Sequence, residues 1–123
     1  MPHEGDHVIR SAVERLSAAG MSSFVNVLKR FGPGNDGMLS FPIGGWTLTV
    51  DVPVMAGLDR VLDELDDQVV AAGGRIYLAK DSRVRPELIP QMYPRLAEWR
   101  DVRDKLDPEG RFRSDLSRRL GLC

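Results

Sequence analysis

The chain has 123 residues, 42% hydrophobic and 28% charged, which suits one ordinary folded domain and excludes a wholly disordered polar segment. Its 17 basic and 18 acidic residues leave a formal net charge of −1, so a nucleic-acid backbone is not expected as its main partner. Cys123 is the one cysteine, which rules out an intrachain disulfide.

The opening "MPHEGDHVIR" lacks the apolar core of a signal peptide, and no apolar run approaches the ~20 residues that cross a bilayer. His3 and His7 stand four apart, but no third ligand is nearby, and no metal site is expected. Val8, Ala12, Leu16 and Ala19 make one apolar face, which predicts a helix over His7–Ala19 with Asp6 as N-cap and Gly20 just past the end. "SSFVNVLKRF" is rich in β-branched and aromatic residues and predicts a strand. "GPGNDG" is a loop; it leads into no helix N-terminus, so it does not read as a phosphate cradle.

"GWTLTVDVPV" alternates, with Trp46, Leu48, Val50 and Val52 on one face and Thr47, Thr49 and Asp51 on the other. Leu58, Val61, Leu62, Leu65 and Val69 form the stripe of a second helix over Leu58–Ala72, with Asp59, Asp63, Asp66 and Asp67 mostly off it. Gly73 ends that helix, and "RIYLAK" reads as a third strand that delivers Lys80 to its edge. "LSAAG" before the Lys29 strand is faintly echoed by "VVAAGG" before the Lys80 strand. This order predicts an α+β fold: an antiparallel sheet with helices on one face, ferredoxin-like in connectivity.

After Lys80 the chain is rich in proline and charge. Pro86 and Pro94 suit first helical positions; Leu96, Trp99, Val102 and Leu106 form another stripe; Ser114 suits a cap for a last short helix. This irregular helical tail is expected to need another surface for its core. "RFRSDLSRR" is basic, but in a neutral chain it reads as a solvated face.

Parity puts Val25, Val27, Lys29 and Phe31 on one face, and a lysine is poorly placed beneath helices. The open face of the sheet is therefore expected to carry Lys29, Phe31, Thr47 and Thr49, with Tyr77 and Lys80 beside them. Either it is a solvated sheet face, which antiparallel sheets tolerate, or it is a site for an anionic or electron-rich ligand.

The stretches "YLAKDSR", "MYP", "EWR" and "DP…F.SD..RRL", in this order and spacing, resemble the decaprenylphosphoryl-ribose 2′-oxidase branch of the vanillyl-alcohol-oxidase-type flavoproteins, near the aldonolactone oxidases. The likeness runs from about Val8 onward. It implies that residues 1–80 are part of a substrate-binding (cap) domain, and that 81–123 are a tail packing towards an FAD-binding domain or polypeptide. It also implies oxidation of a sugar CH–OH group with hydride transfer to FAD. The substrate is then a polyprenyl-phosphate sugar or an aldonolactone-like sugar, with an epimerising reductase as a possible partner. Lys80 takes the catalytic and flavin-facing place, Tyr77 a flavin- and substrate-facing one, and Lys29, Phe31, Thr47 and Thr49 line the substrate pocket. Thr49 replaces the cysteine that covalent inhibitors attack in the mycobacterial oxidases. A cytoplasmic or peripherally membrane-associated location is expected, as is inactivity of the chain alone. The alternatives are one half of a split enzyme and a non-catalytic ferredoxin-like module that binds a ligand or a protein.

Overall fold

The computed structural model describes residues 1–123. Helix α1 spans Asp6–Ala18, strand β1 Asn26–Phe31, strand β2 Gly45–Val50 and helix α2 Leu58–Ala71; the tail adds α3 Ile89–Met92, α4 Leu96–Leu106 and α5 Asp115–Arg119. Short 3-10 turns occupy His3–Gly5, Leu78–Lys80 and Pro86–Leu88. The fold is α+β, as the sequence predicts.

α1 and α2 end alike. Gly20 and Gly73 adopt φ of 70° and 68°, which only a residue without Cβ takes freely. The next N–H groups reach back, Met21 to the Leu16 carbonyl at 2.9 Å and Gly74 to Val69 at 2.7 Å, closing a Schellman motif in each case. Asp6 is the first residue of α1 rather than its cap, because the turn at His3–Gly5 leads straight into the helix. Pro86 does sit at the start of a helical turn, whereas Pro94 lies outside α4, which begins at Leu96. Ser114 caps α5 as predicted, in a reciprocal box with Ser117.

β1 and β2 pair antiparallel, Lys29 opposite Thr47, Val27 opposite Thr49 and Phe31 opposite Gly45. Opposed residues share a face, so Lys29, Thr47, Val27, Thr49 and Phe31 lie together. The other face meets the helices. Val50 and Val52 pack on a buried cluster of Leu16, Met21, Leu58 and Leu65.

The sheet has two strands, not three. The expected third strand fails because the backbone of Ile76 is engaged elsewhere. Its N–H points at Met92 Sδ at 3.1 Å, and its carbonyl accepts from the Tyr93 hydroxyl at 3.2 Å. A ladder partner would need those same groups. β1 starts later than expected: before Asn26 the Ser23 hydroxyl donates to the Val25 carbonyl at 2.8 Å and accepts the Asp51 N–H at 3.0 Å, so a side chain shares in the bonding there.

The tail carries the larger of the two buried clusters, and it packs on another surface as expected, namely α2 and the segment after it rather than the sheet. Val84, Leu88, Ile89, Met92, Tyr93, Leu96, Leu120 and Leu122 close on one another, with Val70 of α2, Leu39 and Ile76 packed against them. No helix is long and apolar enough to cross a membrane.

Candidate functional site

The open face of the sheet is where the register places four of the six residues singled out above. Lys29 is exposed, and Phe31, Thr47 and Thr49 are half-buried. Three aromatic rings continue this surface. Phe31 meets Phe41 edge-on at 6.0 Å between centroids, and Phe41 meets Tyr77 at 4.9 Å. Phe41 thus joins the sheet to the segment that carries Lys80. Its position in "SFPIGG", a loop stretch with no period, gave the sequence no way to single it out.

Tyr77 precedes the 3-10 turn Leu78–Lys80, and its carbonyl accepts the Lys80 N–H at 3.2 Å. Lys80 therefore ends a turn, where the sequence suggests a strand end. Its side chain is exposed and makes no hydrogen bond or ion pair, and the same is true of Lys29. Aromatic rings beside the uncompensated ammonium of Lys29 suit an anionic or electron-rich partner, and Lys80 follows Tyr77 by three residues.

The residues after Lys80 are held tightly. Asp81 has a side chain only 3% exposed, and it accepts from the N–H groups of Arg83 and Val84 at 2.9 and 2.8 Å and from Arg119 at 2.5 Å. Burial alone would raise its pKa, but the Arg119 bond and the two backbone donors outweigh it and hold the carboxyl below its ordinary value. Arg83 bridges Asp63 and Asp66 on α2, the Asp66 bond measuring 2.6 Å. Arg85 pairs with Asp67. Asp66 is buried, not off the covered face as its spacing implies; burial raises its pKa, and Arg83 only partly offsets that. Tyr93 is likewise buried, its phenol pushed up by burial, with the Arg75 guanidinium 5.4 Å over the ring.

His3 lies edge-on to Trp46 at 6.2 Å, and no cluster of His, Cys, Asp and Glu suited to a metal ion is present. On the tail, a shallow groove of about 650 Å³ is lined by Trp99, Val102, Leu106 and Phe112 with Arg103 and Arg113 at its rim. It contains none of the six residues.

The chain is similar to known proteins along nearly all its length. A protein described as uncharacterized, in the mprA 5′ region of Streptomyces coelicolor, is 51% identical over 121 residues, covering 98% of this chain and 33% of that protein. The decaprenylphosphoryl-beta-D-ribose oxidase of Mycolicibacterium smegmatis is 48% identical over 122 residues, covering 99% of this chain and 26% of the oxidase. The chain thus spans about a third and about a quarter of these curated relatives. The sequence model of the D-arabinono-1,4-lactone oxidases matches residues 3–120. The chain belongs to the D-arabinono-1,4-lactone oxidase family.

Proposed function

We propose that the chain supplies one wall of the active site of an FAD-linked oxidase that converts a sugar CH–OH group to a ketone or lactone. The observation that carries this reading is the continuous surface of Lys29, Thr47, Thr49, Phe31, Phe41 and Tyr77 leading to the unpaired Lys80. Its residue types fit a flavin: flat apolar rings for a flat ring system, and an ammonium for developing negative charge. When bound, FAD supplies the hydride acceptor.

Lys80 is the charge-stabilising residue in this scheme. A fixed ammonium that faces charge developing in the transition state lowers the barrier, and more strongly where water is excluded. Tyr77 and Phe41 would shield one side from water once a flavin lies over them. Thr47 and Thr49 offer hydroxyls to a sugar, and Lys29, opposite Thr47, offers a cation to a substrate phosphate. The substrate class is a polyprenyl-phosphate pentose or an aldonolactone-like sugar; the former draws on the relative's name. The product ketone of a polyprenyl-phosphate pentose would pass to a reductase that completes the epimerisation. The remainder of the FAD site is supplied by a domain or polypeptide outside these residues. Exposed Leu106 and Phe112, which line one groove with Trp99 and Val102, support this, since grouped apolar side chains ordinarily lie against a partner.

The closed core of the tail favours a second reading, a self-sufficient binding module. A flavin titration separates the two. The chain is expected to bind no FAD and turn nothing over alone, but to restore oxidase activity when joined to an FAD-binding polypeptide. Lys80→Ala in that assembly is expected to lower kcat by about 10²-fold or more with folding intact. Full activity of Lys80→Ala overturns the role of the lysine, and turnover by the chain alone overturns the division of the site.

A further inference from the structure

We propose that Asp81 is the positioning residue for Lys80, clamping the turn that carries the ammonium onto α5; this rests on the reading of Lys80 given above. Nothing holds the Lys80 side chain itself, so its position must come from its backbone. That backbone is fixed on both sides. Before it, Ile76 is held at its N–H by Met92 Sδ and at its carbonyl by the Tyr93 hydroxyl. After it, Asp81 closes a turn onto the N–H groups of Arg83 and Val84 and binds Arg119, 38 residues further along the chain.

Arg119 in turn donates to the Val84 carbonyl at 3.0 Å, so one guanidinium grips both ends of the loop Asp81–Val84. It is the last residue of α5, whose start is fixed by the Ser114–Ser117 box and whose end closes through the Leu122 N–H on the Ser117 carbonyl at 2.8 Å. The helix is a short but closed frame. The carboxylate is nearly fully buried and both its oxygens are satisfied, the condition under which a buried charge rigidifies rather than disrupts. A purely stabilising Asp81 would leave Lys80 where it is in every variant that still folds. A positioning Asp81 would not.

The test uses the fact that the chain has three lysines, Lys29, Lys80 and Lys105. Reductive ¹³C-methylation gives each ammonium its own NMR signal. In folded Asp81→Ala, the Lys80 signal is expected to shift and sharpen while those of Lys29 and Lys105 stay put. Should that variant not fold, Arg119→Gln carries the same readout, because it spares the Asp81 bonds to Arg83 and Val84. In a flavin-loaded polypeptide containing the chain, kcat is expected to fall by about 10-fold to 10²-fold at a roughly unchanged KM, the signature of a misplaced group. An unmoved Lys80 signal in a folded variant overturns the clamp. If instead Lys80→Ala keeps full kcat, the role of the lysine falls, while the NMR signals still decide whether Asp81 fixes its position.

Discussion

Ile89→Ala tests whether the tail is a core or a loosely laid appendage. Ile89 is 0% exposed, in the one-turn helix α3, among the eight residues of the larger cluster. Truncation removes three carbons from a site with no solvent side. At ~0.8 kcal/mol per buried methylene the transfer loss is about 2.4 kcal/mol, and the residual cavity brings it to about 3–4 kcal/mol. A domain of this size has about 5–15 kcal/mol in total, so the effect is a large fraction of it. Urea melts followed by far-UV circular dichroism measure the loss, with Leu65→Ala in the smaller cluster as comparison. α2 touches both clusters, Val70 the larger and Leu65 the smaller, so one transition with an unchanged m-value is expected for both variants. A loss below about 1 kcal/mol for Ile89→Ala, or a tail that melts separately while α1 and α2 persist, would refute the reasoning.

Acid should loosen the turn that carries Lys80: a carboxyl with a depressed folded pKa stabilises fully above its unfolded value near 3.8 and loses this as pH falls through the lower folded value. The stability gap between the wild-type chain and Asp81→Asn, measured by urea melts from pH 6 downward, is expected to close below ~3.8; a pH-independent gap contradicts the pairing. Thr49→Cys should make the open face sensitive to thiol-directed electrophiles, read by intact mass as one adduct beyond that of exposed Cys123. An uptake equal to wild type would show that position 49 is not reachable from that face.

The pattern most legible in the sequence was the period of two in "GWTLTV". It fixed both the strand and the shared face of Thr47 and Thr49, and the parity of "VLKRF" put Lys29 and Phe31 on one face of their own strand, which the register joins to the threonines. Alternation survives in the structure because it depends only on the pleat. "RIYLAK" shows where such reading stops. Its residues suit a strand, but whether a strand forms depends on a free ladder partner, and here Met92 and Tyr93 hold the Ile76 backbone. The tail cluster was illegible for a related reason. Val84, Tyr93, Leu120 and Leu122 lie on separate turns and a chain end, so no single stripe announces them. Asp81 and Arg119 are far apart in sequence, and only the fold brings them together.

The division of labour between the two kinds of cation ties the fold to the proposed chemistry. The ion pairs of the chain are made by arginines: Arg15 with Glu64, Arg83 and Arg85 with the aspartates of α2, Arg95 with Glu98, Arg103 and Arg118 with carboxylates on or at the end of their own helices, Arg111 with Glu109, and Arg119 with Asp81. A planar guanidinium locks into such pairs with little left to rearrange, whereas an ammonium is a compact charge on a flexible stem. Lysine would make a poorer fastener at position 119, where one side chain must reach both a carboxylate and a carbonyl. Arginine would make a poorer reagent at position 80, because its fork would compete with the Arg119 guanidinium for Asp81 and draw the charge back onto the protein. The carboxylates nearest in sequence to Lys80 are already engaged by arginines, and this leaves its ammonium available to a ligand.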